Sequence, residues 1–206
     1  MKRKTRNAAK TKQEIIEKSA PIFNVHGFAG TSMQMLVEAT GYQMGGIYRH
    51  FGTKLDLAKE VFRYNYQVVN RKSLELDPNL TPPEKLLMII KNYKAMVVNP
   101  RIEGGCPVLN TSVEMDDTNE ELRKLAKSFM KETLDFIEGI LEEGKEKGFF
   151  RSNIDIQKEA LYLYASFEGA ILIGKVMRTA QSFFGILDQI TKYLHENIFL
   201  KETIRH

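Results

Sequence analysis

Residues 31–54 read TSMQMLVEATGYQMGGIYRHFGTK, and this stretch decides the fold of the N-terminal part of the chain. Thr31 or Ser32 can cap a first short helix, because hydroxyl side chains accept hydrogen bonds from the unpaired amides at a helix start. Gly41 suits the left-handed conformation that ends a helix, and only two residues separate it from a second short helix over 44–51. Two short helices joined by a tight turn predict a helix-turn-helix motif, whose second helix enters the major groove of DNA.

The sequence outside this motif predicts helices and no strands. Thr11 and Glu14 form a capping box that predicts the start of the preceding helix, and Gly27 ends that helix. Thr53 predicts the start of a longer helix that runs to Asn70. Beyond it, apolar residues recur at helical spacing in five further segments, namely 83–98, 107–115, 118–147, 156–178 and 182–200.

The predicted fold class is therefore all-α, with about nine helices. We expect an N-terminal three-helix DNA-binding domain over 1–54 that contains the helix-turn-helix motif. A helical body over 55–206 follows.

The charge distribution sets the N-terminal domain apart. Residues 1–54 contain nine lysine and arginine residues against three acidic residues, whereas the remainder contains 21 against 23. A basic domain on a slightly acidic body favours a polyanionic partner such as DNA. The arm formed by Lys2, Arg3, Lys4 and Arg6 would add non-specific attraction to DNA, and a merely solvated basic tail is the alternative.

The composition indicates a soluble globular protein, with 43% apolar and 27% charged residues. The longest apolar run, 160–173, contains Glu168 and falls short of the ~20 residues that cross a bilayer, so no membrane partner is expected. A single cysteine, Cys106, excludes an internal disulfide and a cysteine-based metal site, and it suits a reducing cytoplasm. The chain lacks P-loop, nucleophile-elbow and zinc-protease patterns, so we expect no catalytic residues, metal or cofactor.

The N-terminal strings resemble the DNA-binding domain of the tetracycline-repressor (TetR) family. The resemblance covers about fifty residues in the order and spacing of that family. Its most specific strings are Gly27-Phe28, Thr31-Ser32, Ala39-Thr40-Gly41, the run from Gly45 to Phe51, and the run from Thr53 to Leu57. The resemblance implies a cytoplasmic homodimer that represses genes until a small-molecule effector binds the body.

The resemblance also assigns residues to DNA contact. Tyr48, His50 and Lys54 would bind phosphates, although Tyr48 and His50 can also be interpreted as ordinary surface residues. Ile47 and Phe51 are predicted to be core. The complete set of predicted DNA-contacting residues is Thr31, Ser32, Gln34, Gln43, Met44, Gly45, Gly46, Tyr48, Arg49, His50 and Lys54.

The base-reading positions depart from the usual pattern of the family, because Met44, Gly45 and Gly46 carry no polar side chain. Glycine weakens a helix but lets its backbone approach the groove closely. Met44 would contact a thymine methyl group, while Gln34 and Gln43 would supply hydrogen bonds to base edges.

The body offers candidates for an effector site, each with ordinary core packing as the alternative. The segment Gly105-Cys106-Pro107 resembles one branch of the family, in which Gly-Cys-Pro opens a helix beside the cavity. Cys106 is either an oxidation-sensitive thiol or a small buried apolar residue. Glu168 needs a partner in the core, across a dimer or on a cationic ligand. The candidates are Tyr66, Met88, Asn92, Tyr93, Met96, Cys106, Asn110, Phe129, Phe167 and Glu168.

Broad apolar faces on the last two helices, about 156–178 and 182–200, predict a homodimer formed through both. The sequence thus predicts a sequence-specific transcriptional regulator, namely a repressor that an effector releases from a palindromic operator in double-stranded DNA. The alternatives are an activator, a dimeric regulator without an effector and, behind both, a purely structural helical protein.

Overall fold

Nine α-helices account for most of residues 8–200, the part of the chain that the computed structural model describes. The basic arm of residues 2–6 lies outside it. In chain order the helices are α1 (Ala8–Gly30), α2 (Met33–Thr40), α3 (Met44–Phe51), α4 (Lys54–Tyr66), α5 (Pro82–Val98), α6 (Pro107–Met115), α7 (Glu120–Glu146), α8 (Ile156–Met177) and α9 (Ala180–Tyr193). An isolated antiparallel bridge between Phe150 and Phe199 is the only strand-like pairing in the described residues. The predicted all-α fold is therefore confirmed.

Short-range capping signals place most helix ends. The Ser32 hydroxyl accepts a hydrogen bond from the Met35 amide at 3.1 Å and caps α2. Gly41 ends the same helix in the left-handed conformation, with φ of 73°. Thr53 caps α4 and Asp155 caps α8. These residues act on backbone groups within a few positions of themselves, which is why the sequence alone predicts their roles.

The predicted start of α1 at Thr11 is wrong. The helix already includes Ala8, and Thr11 lies inside it with a buried side chain. Glu14 does not reach back to the helix start, because its carboxylate accepts a hydrogen bond from the Tyr42 hydroxyl at 2.6 Å. Thr11 and Glu14 thus have the spacing of a capping box, but they serve packing and a tertiary contact.

Three other predicted helix ends are corrected. Residue 118 does not start α7, which begins at Glu120 and has Asn119 as its cap, where Asn119 accepts from the Leu122 amide at 3.0 Å. Helices α4 and α9 were predicted to run on to 70 and 200, but each gives way to a π-helical turn, Gln67–Arg71 after α4 and Leu194–Ile198 after α9. The apolar spacing of one turn does not distinguish α from π geometry.

The described residues divide into two compact units, each with its own core. The first unit spans 8–70 and 102–126 and therefore contains α1 to α4 together with α6. Its core includes Ile15, Leu36, Ile47, Leu57 and Val61, each at most 1% exposed. The second unit spans 71–101 and 127–200, and its core includes Leu141, Leu163, Phe183 and Leu187, again each at most 1% exposed.

Helix α8 contradicts the expectation that no segment has the length and hydropathy of a membrane span. Its 22 residues contain an 18-residue window with a mean hydropathy of 1.3. Glu168 lies within this helix, but one charged residue leaves the mean hydropathy in the range of membrane-spanning helices. The core helices of soluble proteins reach the same mean hydropathy, so a single helix of this kind is weak evidence for a membrane span. Its six large apolar residues that remain exposed are Leu161, Tyr162, Leu172, Ile173, Val176 and Met177.

Candidate nucleic-acid interface

Helix α3 separates buried from exposed side chains along its length. Ile47 and Phe51 are 1% and 7% exposed, which confirms their predicted place in the core. On the outer face, Met44 is 43% exposed and Tyr48 is 39% exposed. The side chains of Gln43 and Arg49 are exposed as well, and so is the backbone at Gly45. The predicted recognition helix thus presents a continuous outer surface.

The first turn of this surface carries little side-chain volume. A methyl group added at Gly45 or Gly46 would meet no atom within 4 Å, so neither glycine is required by packing inside the chain. Glycine at these positions lowers helix stability. What the two glycines provide is access, because the α3 backbone can approach a ligand closely at this turn.

Helix α2, which precedes α3 in the chain, also exposes residues at its start. Ser32 and Gln34 are exposed, and Gln34 donates a hydrogen bond to Glu38 at 2.9 Å. Thr31 is fully buried, and its hydroxyl donates to the Gly27 carbonyl at 2.6 Å. The Thr31 side chain therefore supports the connection between α1 and α2, whereas Ser32 presents the helix N-terminus, where backbone amides suit a phosphate.

Lys54, the predicted phosphate-binding lysine, is held against α1. Its ammonium donates to the Phe28 carbonyl at 2.5 Å and lies 4.5 Å from the centre of the Phe28 ring. Burial lowers the pKa of Lys54, and the nearby Glu114 carboxylate opposes this by raising it. His50 is half-buried at the end of α3. The ammonium of Lys54 is thus held in place by the end of α1.

The last turn of α1 is the feature that the sequence did not reveal. Gly27 breaks the helix with φ of 72° and ψ of −179°. Immediately after it, the amides of Phe28 and Ala29 donate to the carboxylate of Glu114 at 2.8 and 2.7 Å. Glu114 lies on α6, 85 residues or more along the chain. The sequence identified Gly27 as a helix end but held no local signal for its partner.

A second set of bonds fastens the start of α6 to α1. The Asn24 amide donates to the carbonyls of Glu103 and Gly105 at 2.7 and 3.1 Å. In return, Asn110 donates to the carbonyl of Asn24 at 3.1 Å and to that of Gly104 at 2.8 Å. A cavity of about 30 Å³ lies beside these bonds and is lined in part by Asn110 and Glu114. The amide of Asn110, predicted to orient an effector, thus holds helices together here.

Cys106 and Tyr66 also belong to the first unit. Cys106 is 1% exposed and caps α6, where its sulfur accepts from the Leu109 amide at 3.5 Å and from the Asn70 side chain at 3.3 Å. The predicted start of this helix at residue 107 is confirmed, because Pro107 is the first residue of α6. Tyr66 is 2% exposed at the end of α4.

The other predicted effector residues lie in the second unit, where only some of them line a pocket. Asn92 and Met96 line a pocket of about 180 Å³ near the end of α5, and Arg101 is among its other lining residues. Tyr93 and Phe167 are buried and stack with ring centres 4.6 Å apart. Met88 and Phe129 are half-buried, and Glu168 is only 7% exposed. Of the predicted effector residues in this unit, the structure thus places Asn92 and Met96 at an open pocket.

Comparisons with known proteins match both parts of the chain. Residues 15–61 match the model of bacterial regulatory proteins of the tetR family, and residues 82–188 match that of the tetracyclin repressor-like C-terminal domain. The HTH-type transcriptional repressor DhaR of Mycobacterium sp. (strain GP1) is 26% identical over 186 residues, which cover 90% of each chain.

Two solved structures are similar along nearly their whole length. A TetR transcriptional regulator from Chloroflexus aurantiacus is 29% identical, with a TM-score of 0.88 over 94% of this chain and 98% of that chain. A transcriptional regulator of the TetR family from Cytophaga hutchinsonii is 32% identical, with a TM-score of 0.83 over 97% of this chain and 100% of that chain.

Proposed function

This chain belongs to the tetR family of bacterial regulatory proteins, which are DNA-binding regulators of transcription, and we propose on that premise that it is a dimeric repressor which a small molecule releases from a palindromic operator. The observation that carries the proposal is the outer surface of α3, with Met44, Gly45, Tyr48 and Arg49 exposed while Ile47 and Phe51 anchor the helix. The cytoplasm, where the chromosome is accessible, is its proposed location.

The exposed residues divide into phosphate contacts and base contacts. We assign phosphates to Tyr48, His50 and Lys54, with the amides at the Ser32 cap as a further site. Thr31 acts in this assignment through the backbone connection that it stabilises. The base contacts come from Gln34, Gln43, Met44 and Arg49, since amides and guanidinium groups match base edges and a methionine matches a thymine methyl group. Gly45 and Gly46 allow the close approach that these contacts need.

Dimer formation is assigned to α8 and α9. The six exposed apolar residues of α8 are unusual for the surface of a soluble monomer, and burying them against a second copy removes that surface from water. A symmetric dimer also explains a palindromic operator, because two recognition helices must enter major grooves about 34–36 Å apart.

Effector binding is assigned to the body. Predicted effector residues line two of the described cavities, and the one beside Asn92 and Met96 is the larger, at about 180 Å³ against about 30 Å³ beside Asn110. Release from DNA requires an effector that binds the DNA-competent and DNA-incompetent conformations with different affinities. The size of that difference limits how far the effector can shift the population.

Selection of bound sequences from random duplex DNA, at a stated salt concentration, tests the proposal. We expect an enriched palindrome whose half-sites lie about one helical turn apart. Binding that is general, salt-sensitive and without enrichment would contradict sequence-specific regulation.

A further inference from the structure

Three helices of the first unit meet at one short segment, residues 27–30, which we call the α1 terminal turn. Glu114 of α6 binds its amides, as described above. Thr31, which leads into α2, donates to the Gly27 carbonyl at 2.6 Å. Lys54, the first residue of α4, donates to the Phe28 carbonyl at 2.5 Å. Since α2 and α4 flank α3 in the chain, the α1 terminal turn links α6 to both neighbours of the recognition helix.

The bond from Glu114 depends on features that are specific to this turn. Gly27 interrupts the helix, so the Phe28 and Ala29 amides begin a new turn and lack the carbonyl partners of a continuing helix. One carboxylate accepts from both amides, and hydrogen bonds to a charged acceptor are the stronger kind. A Cβ at Gly27 would overlap the Glu114 carboxylate, and a φ of 72° is itself unfavourable for other residues.

The neighbouring bonds make α6 a rigid support for this contact. Asn24 and Asn110 fasten the start of α6 to α1, while Glu114 fastens its end. A Cβ at Gly104 would lie 2.7 Å from the Asn24 carbonyl oxygen, so the two segments are in close backbone contact. A displacement of α6 must therefore either move the α1 terminal turn or break the bonds to Glu114.

We propose that Glu114 is a positioning residue through which α6 fixes the orientation of the helix-turn-helix motif, so that operator affinity depends on its carboxylate although Glu114 itself does not touch DNA. The inference rests on the proposed function, which it deepens by naming the residue that connects α6 to the DNA-binding surface. An effector that moves α6 would release the motif through this contact.

The test compares Glu114→Gln with Asp116→Asn in the full-length protein. Both variants remove one negative charge near the end of α6, but the bond recorded for the exposed Asp116 side chain is local, from the Asp117 amide. Glutamine can accept from only one of the two amides. Operator affinity and random-duplex affinity are measured for each, together with the melting temperature and the hydrogen exchange of the Phe28 and Ala29 amides.

We expect Glu114→Gln to weaken operator binding about tenfold, to leave random-duplex binding unchanged and to accelerate exchange of the two amides. Asp116→Asn should match the wild type in all four measurements. A merely structural role would lower the melting temperature and weaken both DNAs in parallel.

The outcomes separate this inference from the proposed function. A wild type that selects no operator overturns both. A wild type that selects an operator, with a Glu114→Gln variant that binds it equally tightly, overturns the positioning role alone. If Glu114→Gln melts more than about 5 °C below the wild type, Glu114→Asp decides, because it keeps the charge but shortens the reach. Unchanged operator affinity in folded Glu114→Asp, with both amides exchanging faster, also overturns the proposal.

Discussion

Lys54 has a different partner in the free chain from the one proposed in the complex. Its ammonium is bonded to the Phe28 carbonyl and partly desolvated, which lowers its pKa. An ammonium has three N–H donors, so Lys54 can keep its bond to the Phe28 carbonyl and donate to a DNA phosphate as well. The free protein thus holds this cation near the interface in an ordered position.

Replacing Lys54 by methionine should therefore weaken binding to operator and random duplex alike. We expect the slope of log affinity against log salt to fall by about 2 for the proposed dimer, because each of its two Lys54 residues loses one phosphate contact, which releases about one counterion. Lys59→Met is the matched control, since Lys59 lies on the same helix but pairs with Asp56 and Glu121. The assignment fails if both variants keep the wild-type slope.

At the scale of one element, α3 combines a firmly packed inner face with an outer face that carries two glycines, Gly45 and Gly46, in its first turn. Packing inside the chain does not require either glycine there. A position that reduces helix stability without a packing reason is typical of a functional constraint. The constraint proposed here is close approach of the α3 backbone to DNA.

Gly45→Ala and Gly46→Ala should each raise the free energy of unfolding by roughly 0.5–1 kcal/mol, and at the same time weaken operator binding. Gly139→Ala in α7 is the control, because an added Cβ there also meets nothing within 4 Å. It should be stabilising without any effect on DNA. Thermal unfolding and operator titration measure the two properties separately. Alanine variants that bind the operator as tightly as the wild type would show that close approach is not needed.

Helices α8 and α9 are joined by one polar contact with a measurable titration. The Tyr193 hydroxyl donates to Glu159 at 2.7 Å. Burial, followed by this bond to a carboxylate, raises the pKa of Tyr193 from 10 to about 12. A raised pKa means that the folded state favours the neutral phenol. The associated stability is present below pH 10 and is lost as the pH rises from 10 to about 12.

Tyr193→Phe should lower the free energy of unfolding at neutral pH by about 0.5–1.5 kcal/mol. It should also remove a tyrosine that ionises at about pH 12 from an absorbance titration of the folded protein. Tyr162→Phe leaves the Tyr193 hydroxyl bonded to Glu159 and should retain that late ionisation. The interpretation is wrong if the high-pH titration of the Tyr193→Phe protein is the same as that of the wild type.

The sequence predicted those elements whose determinants lie close together along the chain. Ser32, Gly41 and Asp155 act on backbone groups a few residues away, and apolar spacing located all nine helices. The prediction that Thr11 caps α1 was wrong, because the buried position of Thr11 depends on packing with other helices. The predicted effector residues show the same limit, since Tyr93 packs into a core and Asn92 lines a pocket although they are adjacent in sequence.

The exposure of the candidate DNA surface was predictable in part, since Tyr48 and Arg49 are exposed whereas Thr31, predicted to contact DNA, is buried. Tyr48 and Arg49 could be assigned from the motif, because their exposure follows from helical spacing around Ile47. Glu114 could not be assigned, because its contact with Phe28 joins residues 86 apart. Short-range rules carry no information about such a pair.

At the scale of the whole molecule, the exposed apolar face of α8 is the surface through which we propose that two copies of the chain pair. Val176 is 71% exposed on this face, and Val98 on α5 is also 71% exposed. The two valines therefore form a matched pair of equal exposure, of which only Val176 belongs to the proposed dimer interface.

Val176→Glu should convert the dimer to a monomer, because a carboxylate buried against a second copy loses its hydration. A monomer has one DNA-binding domain instead of two, so it should not bind the operator at concentrations where the wild type binds fully. Val98→Glu should remain dimeric and active. Light scattering after size exclusion measures the mass of each. A dimeric Val176→Glu protein would place the interface elsewhere.

Gly27 and Glu114 compete for the same space, and this restricts how the protein can evolve. Any side chain at position 27 intrudes on the carboxylate at position 114, so a larger residue at position 27 selects for a shorter one at position 114. A chain that carries only one of the two substitutions lacks the bond between position 114 and the α1 terminal turn. Among homologous chains, the two positions should therefore change together. A homologue without the glycine should support its recognition helix through a different contact.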